Sequence, residues 1–65
     1  MQVFNVQGMT CGHCVKAVTR ALQAQDAEAI VEVDLGHKQV KVQSALQAAQ
    51  ILQVIREEGY QAEAV

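Results

Sequence analysis

The 65-residue sequence predicts a small α+β domain in which a four-stranded antiparallel sheet is covered on one face by two helices. Short segments in which apolar and polar residues alternate indicate strands, and longer segments with apolar residues three and four apart indicate helices. These segments follow one another in the order β-α-β-β-α-β. The chain is near the lower size limit for a domain that folds alone, so one small core must serve every element.

Residues 2–25 are predicted to form a strand and a helix. Residues 2–7 are rich in β-forming side chains, with Phe4 and Val6 on one face. Gly8 permits the bend that follows. Residues 14–25 are predicted to be a helix, because their apolar side chains form one stripe of Val15, Val18 and Leu22.

The middle of the chain is predicted to be a hairpin. Within residues 29–35, Val31, Val33 and Leu35 alternate with Glu32 and Asp34, as expected of a strand with one buried face. Residues 36–37, Gly-His, are predicted to be a tight turn, and residues 38–43 return as the next strand. The side chains expected to face inward are Val31, Val33, Leu35, Val40 and Val42.

The remaining sequence predicts a second helix and a last strand. Ser44 and Gln47 fit a capping box, in which a serine N-cap is followed three residues later by glutamine. The helix is expected to run to about Glu58, with Gly59 as its C-terminal cap. Residues 60–65 complete the set as a short strand. The core face of the helix is expected to carry Ala48, Ile51, Leu52 and Ile55.

This order of elements has one dominant packing solution, the ferredoxin-like βαββαβ sandwich. Right-handed crossovers favour the spatial strand order 4-1-3-2. Following the strand directions along the chain puts three connections at one edge of the sheet: residues 8–13, 36–37 and 58–60. We therefore expect distant parts of the sequence to meet at that edge.

Charge is distributed unevenly, since residues 1–25 carry Lys16 and Arg20 and no acid, whereas all seven acidic residues follow. Two basic residues are too few for a nucleic-acid surface, although they could attract an acidic protein partner. The sequence contains no apolar run of about 18 residues and no signal-peptide pattern at its start. We therefore expect no nucleic-acid partner, no direct membrane insertion and a reducing cytosolic location.

Both cysteines lie in residues 8–14, which read Gly-Met-Thr-Cys-Gly-His-Cys. Cys11 and Cys14 stand at the junction of the predicted first strand and helix. A helix N-terminus lowers the pKa of a thiol from about 8.5, because its unpaired N–H groups and the helix dipole favour the thiolate. The pair is either a soft-metal site or a redox couple, since a disulfide closing so small a loop contributes little stability.

Two thiolates suit Cu(I) better than they suit zinc. Structural zinc sites take four ligands, and completing four here would require both His13 and His37. Cu(I) is soft and is selected by thiolates, and two or three ligands satisfy it. A metal held by two cysteines also stays open to an incoming thiolate, which transfer between proteins requires.

The segment 8–14, followed by Val-Lys-Ala-Val at 15–18 and by Glu-Gly-Tyr at 58–60, resembles the heavy-metal-associated domain and its small bacterial copper chaperones. The resemblance covers essentially the whole chain, so we expect residues 1–65 to be one such domain. It implies a non-enzymatic copper(I) chaperone in which Cys11 and Cys14 hold the metal. It also implies ligand exchange with the similar metal-binding domains of a copper-transporting P-type ATPase, and a copper-bridged homodimer is plausible at high loading.

The same resemblance implies roles for further side chains around the metal. Met9 is expected to be buried beneath the loop, and Tyr60 to lie near the metal. Lys16 and Arg20 are expected to dock a partner. The candidate extra ligands or modulators are His13, Tyr60, Met9 and His37. The chain departs from the family at residues 26–28, Asp-Ala-Glu, where a glycine and a valine are often found, and at His37, which is not a family feature.

Alternatives from other functional classes remain open at this stage. Cys-Gly-His-Cys is also the redox tetrapeptide of disulfide isomerases, so a thiol–disulfide oxidoreductase is the main competitor. The absence of proline, Thr10 where those enzymes usually have tryptophan, and the short chain all oppose it. Mercury and zinc are alternative cargoes for a related domain. A domain that reports copper rather than carrying it is a further alternative.

Overall fold

In the described residues, 1–9 and 12–65, the computed structural model contains four strands and two helices in the predicted order. Thr10 and Cys11 lie outside the described residues. The elements are β1 (Gln2–Gln7), α1 (Gly12–Gln25), β2 (Ile30–Asp34), β3 (Gln39–Gln43), α2 (Ala48–Glu57) and β4 (Gln61–Ala64). The α+β class of the domain is therefore confirmed.

The sheet has the strand order β2-β3-β1-β4, which is the predicted order read from the other edge. All three pairings are antiparallel. β1 occupies an interior position, where Phe4 pairs with Val40 of β3 on one side and with Ala64 of β4 on the other. Because β1 pairs with both β3 and β4, the register of these two pairings sets where β3 and β4 begin and end relative to β1.

One core fills the space between the sheet and the two helices. The predicted inward residues Phe4, Val6, Val40 and Val42 are fully buried from the sheet side. The helices contribute fully buried side chains from the predicted stripes: Val18, Leu22, Ile51 and Ile55. Burial of each such side chain contributes about 1.5–3 kcal/mol to folding, so this layer is the main source of stability.

The first helix begins two residues earlier than predicted, at Gly12 rather than Cys14. Glycine has poor intrinsic helix propensity, about 1 kcal/mol worse than alanine, and the sequence pattern therefore favoured a later start. Packing of the Val18 and Leu22 stripe against the sheet outweighs that preference. As a result, His13 lies in the first turn of α1 rather than in a loop.

The hairpin differs from the prediction at Leu35, which was expected to face the core but is 39% exposed. β2 ends at Asp34, and residues 35–38 form the turn. The Asp34 carboxylate accepts a hydrogen bond from the His37 backbone N–H (3.1 Å), which stabilises the turn. Leu35 therefore lies in the turn and does not continue the alternation of β2. The positive φ of 55° lies at Lys38, after the predicted Gly-His pair.

The predicted capping box at Ser44 and Gln47 is wrong, because α2 begins at Ala48 with Gln47 as its N-cap. The Gln50 side chain accepts from the Gln47 backbone N–H (2.9 Å), so the same kind of motif occurs three residues later. Ser44 is engaged elsewhere. Its hydroxyl donates to Asp26 Oδ2 (2.6 Å) and accepts from the Leu46 N–H (3.0 Å).

Asp26 ties together the two connections at the edge of the sheet opposite residues 8–14. Its carboxylate accepts from the Ser44 hydroxyl and from the backbone N–H groups of Glu28 (3.1 Å) and Ala45 (3.2 Å). The bond from Ser44 is the largest cause that holds the pKa of Asp26 below its ordinary value of 3.8, and the two backbone bonds act in the same direction. The connection at residues 26–28, where the sequence departs from the family that it resembles, is thus held in place by the hydrogen bonds of Asp26.

We expect Asp26→Asn to lower the free energy of unfolding at neutral pH. Because the folded pKa of Asp26 lies below its unfolded value, the stabilisation by its carboxylate is present above the unfolded value and is lost as pH falls through the folded value. The stability gap between the wild type and D26N should therefore close below about pH 4. Urea unfolding followed by circular dichroism across this range measures the gap.

Ser44→Ala is the matched control for this prediction, because it removes the strongest partner and leaves the carboxylate in place. Its effect should be non-additive with D26N, as expected of two groups in one hydrogen-bond network. A gap between wild type and D26N that stays constant from neutral to acidic pH would contradict the role assigned to the Asp26 charge.

Candidate metal centre

Strand pairing brings three connections together at one edge of the sheet, as predicted. Gln7 at the end of β1 pairs with Gln61 at the start of β4. On the other side, the Val6 N–H donates to the carbonyl of Lys38 in the hairpin turn (2.8 Å). We call this edge the rim, and we define it by residues 8–9, 12–14, 35–38 and 58–60.

Cys14 is the candidate ligand among the described residues. It lies in the first turn of α1, is half-buried and packs against the core cluster. The N-terminal turn of a helix carries partial positive charge from its unpaired N–H groups, which stabilises an anionic sulfur there. Cys11 lies outside the described residues, so its place at the rim stays a prediction.

Met9 is only 6% exposed and belongs to the core cluster. This is the position expected for it, beneath the segment that contains the cysteines. An unbranched thioether packs readily into an irregular space, and Met9 therefore joins the core to the segment that follows β1. Its burial matches a role in supporting the rim from below.

Tyr60 lies beside Gly8, the first residue of the same segment. Its side chain is half-buried and contacts the core cluster. A Cβ built on Gly8, whose φ is +96°, would lie 3.4 Å from Tyr60 Cδ1. The C-cap of α2 is Glu58 rather than the predicted Gly59, and Gly59 follows it with a φ of +95°, which turns the chain toward Tyr60. The ring of Tyr60 thus flanks the approach to the cysteine segment.

The charged residues of α1 point away from the core. His13, Lys16 and Arg20 are all exposed, and their spacing of three and four residues puts them on one face of the helix. That face begins beside Cys14 and runs down from the rim. The two cations predicted to dock a partner are therefore accessible and next to the candidate ligand.

His37 also lies at the rim, but its ring is directed to its own turn. Nδ1 of His37 is 2.7 Å from Oδ2 of Asp34, and the histidine side chain is 79% exposed. Hydrogen bonding to His37 is the main cause that holds the pKa of Asp34 below its ordinary value of 3.8. Within residues 1–9 and 12–65, no three His, Cys, Asp or Glu side chains are grouped so that they could hold a metal ion.

One residue that binds a segment next to the rim was not predicted from the sequence. Arg56, in the last turn of α2, donates from Nη2 to the backbone carbonyl of Ala62 in β4 (2.8 Å). The bond spans the connection that contains Tyr60. The only signal in the sequence was a basic residue near a helix C-terminus, which is common on electrostatic grounds alone.

A ferredoxin-like sandwich with a cysteine pair around the start of its first helix defines a class of small metal-binding domains. A sequence profile of that class, the heavy-metal-associated domain, matches residues 3–61. The chain therefore belongs to the heavy-metal-associated domain family. None of the helices in the described part of the chain is long and apolar enough to cross a membrane.

Three proteins are similar to this chain over nearly their whole length. Copper chaperone CopZ of Staphylococcus aureus (strain bovine RF122 / ET3-1) is 40% identical over 62 residues, covering 91% of each chain. The structure of copper chaperone Atx1 from Synechocystis PCC6803 has a TM-score of 0.90 at 39% identity, covering 94% of this chain and 97% of Atx1. A gold binding protein has a TM-score of 0.92 at 29% identity over the full length of both chains.

We expect Gly8→Ala to lower the free energy of unfolding by about 1–2 kcal/mol, because an L side chain is strained at positive φ. The new methyl would also press on Tyr60. Gly12→Ala is the matched control, since its Cβ would meet nothing within 4 Å. That variant should be as stable as the wild type or more stable by up to about 1 kcal/mol, because alanine has the better helix propensity. Thermal and urea unfolding compare the two, and equal stability of both variants would contradict the strain assigned to Gly8.

Proposed function

We propose that this protein is a cytosolic copper(I) chaperone that holds Cu(I) between Cys11 and Cys14. The observation that carries the proposal is the half-buried Cys14 in the first turn of α1, which packs against the same core cluster as Met9 and Tyr60 in a domain of this family. The naming of its relatives CopZ and Atx1 as copper chaperones supports copper as the cargo. Cys11 immediately precedes Gly12 in the sequence, and its role as the second ligand is part of the proposal.

Thiolate chemistry favours the reduced ion over Cu(II). Soft sulfur ligands select Cu(I) and stabilise it, and a low coordination number leaves the metal open on its outer side. Binding requires that both thiols lose their protons, so Cu(I) affinity should rise with pH until both are ionised. A reducing compartment keeps the two cysteines from forming a disulfide, which supports the cytosol as the working location.

Transfer to a partner is proposed to occur by ligand exchange without a change in oxidation state. A thiolate of the partner forms a Cu–S bond, and one Cu–S bond to Cys11 or Cys14 then breaks. The incoming thiol gives up its proton, and the released cysteine takes one up. Copper stays Cu(I) throughout, so no oxidant or reductant is consumed, and the second cysteine leaves by the same step.

The partner we propose is a similar metal-binding domain of a copper-transporting P-type ATPase. The exposed Lys16 and Arg20 beside the candidate ligand support an acidic surface on that partner. Opposite charges would orient the two metal sites toward each other before exchange. A copper-bridged homodimer uses the same open coordination position and would compete with transfer at high loading.

The second candidate cargo is another soft metal ion, and the similarity to a gold binding protein supports this alternative. Gold(I) and mercury(II) are soft and also bind thiolates, whereas zinc would require more ligands. An anaerobic titration with Cu(I), Zn(II) and Hg(II), run beside an insulin-reduction assay, ranks the metals. The insulin assay also tests the oxidoreductase alternative, for which we expect no activity above background.

We expect the wild type to bind one Cu(I) per monomer and the double variant Cys11→Ala, Cys14→Ala to bind none tightly. Each single variant should lose most of the affinity, because one thiolate cannot hold the ion against a competing chelator. Anaerobic competition with a chromophoric Cu(I) chelator measures the loss. Retention of tight Cu(I) binding by the double variant would refute the site.

His37→Ala is the matched control for the cysteine variants, because His37 lies at the same rim but pairs with Asp34. Its Cu(I) affinity should equal that of the wild type. His13→Ala, on the first turn of α1, tests the other candidate extra ligand in the same assay. A loss of affinity in either variant comparable to that of a cysteine variant would revise the ligand set.

Lys16→Gln and Arg20→Gln together should slow Cu(I) transfer to an acidic partner domain by about tenfold at low ionic strength, because steering is lost. The defect should shrink as salt is added, and Cu(I) affinity should not change. Lys41→Gln removes one positive charge from β3, away from the α1 face, and is the control. Stopped-flow transfer measures the rates, and a salt-independent defect would argue against electrostatic docking.

A further inference from the structure

We propose that Arg56 is a positioning residue for metal exchange, because it holds Tyr60 beside Gly8 at the rim. This inference rests on the proposed copper-binding function of the rim. Arg56 lies on α2, outside the cysteine segment, and its proposed role is to keep the Tyr60 ring in place beside that segment.

Arg56 attaches to the connecting segment on both sides of Tyr60. Before the tyrosine, the Arg56 backbone carbonyl accepts from the Gly59 N–H (3.0 Å). After the tyrosine, Arg56 Nη2 donates to the Ala62 carbonyl (2.8 Å). One residue therefore fixes the start and the end of the short stretch that carries the ring, so Tyr60 can move little unless one of these bonds opens.

The Ala62 carbonyl is available to Arg56 because it points outward from β4, the outermost strand on its side of the sheet. Ala62 pairs with Val6, but the Val6 N–H donates to Lys38 on the other side of β1. β4 is an edge strand, so the outward carbonyls lack a strand partner. A guanidinium has several donors and a permanent charge, and its hydrogen bond to a carbonyl is stronger than one from a neutral donor.

The position of Tyr60 connects this anchor to the cysteine segment. Tyr60 Cδ1 lies 3.4 Å from the Cβ position of Gly8, which begins the segment of both cysteines. On the other side, α2 is fixed to the core through the fully buried Ile55, next to Arg56. Release of Ala62 would therefore let the ring lift away from Gly8 and would open the rim to solvent and to competing ligands.

The chain offers a direct spectroscopic readout, because it contains one tyrosine and no tryptophan. Tyrosine fluorescence therefore reports Tyr60 alone. We expect Arg56→Gln to raise the acrylamide quenching constant of the metal-free protein by about twofold or more, as a strong hydrogen bond is lost. Arg56→Lys keeps a charged donor and should fall between Arg56→Gln and the wild type. Lys41→Gln, which leaves this segment intact, should match the wild type.

The link to the metal is tested by a double-mutant cycle. Arg56→Gln should speed release of Cu(I) to a chelator by about twofold or more in the wild-type background and should have no further effect in the Tyr60→Ala background. All rates are compared at a temperature at which every variant is folded by circular dichroism. Unchanged quenching in Arg56→Gln, or a full effect of Arg56→Gln in the absence of the Tyr60 ring, would overturn the proposal.

Failure of the proposed function would look different from failure of this inference. If the wild type does not bind Cu(I), the copper assignment is wrong, whereas the quenching measurement on the metal-free protein still decides whether Arg56 holds Tyr60. If copper binds and quenching changes but release does not, Arg56 positions the ring without influencing exchange, and the positioning role for exchange is wrong.

Discussion

Pairing of β1 with β3 on one side and with β4 on the other is the constraint on which the rim depends. Because both pairings are antiparallel and in fixed register, the end of β1 lies level with the hairpin turn and with the start of β4. A slip of one residue in either pairing would turn Phe4 and Val6 away from the core. The burial of these two side chains therefore fixes the register, and the register fixes which connections meet beside Cys14. Apolar packing several residues from the rim therefore determines where the side chains of the rim lie.

Much of this arrangement was predictable because it follows from periodicity. The stripe of Val18 and Leu22 and the alternation of Val40 and Val42 each have one packing solution, and together they determine the sandwich. The prediction failed where polar side chains choose among several local partners. Ser44 could cap a helix or bind Asp26, and nothing in the sequence indicates a contact between residues 18 positions apart. Arg56 is the same kind of case at the rim, since its bond to Ala62 depends on a strand edge that exists only in the folded sheet.

The two edges of the sheet differ in how they are held together. At the edge opposite the rim, Asp26 fastens two connections with three hydrogen bonds. At the rim, Met9 and Tyr60 supply packing contacts, and the cationic face of α1 stays exposed. This division suits a carrier. Under the proposed function, the hydrogen bonds of Asp26 would keep the domain folded while ligands are exchanged, and the exposed rim would admit a partner's thiolate.

The geometry of His37 bears on the choice of metal. A tetrahedral zinc site built from this chain alone would need two nitrogen ligands beside the cysteines. His37 is the farther of the two candidates in sequence, and its Nδ1 contacts the Asp34 carboxylate, whose pKa is lowered mainly by that contact. Recruitment of His37 to a metal through Nδ1 would break this bond and leave Asp34 without its ring partner. Cu(I) requires no such rearrangement, because two thiolates suffice for it. Only recruitment through Nδ1 carries this cost, because Nε2 of His37 stays available while Nδ1 is paired with Asp34, as is usual for histidine ligands. The preference for Cu(I) therefore rests on the sufficiency of two thiolates and not on the pairing of His37 with Asp34.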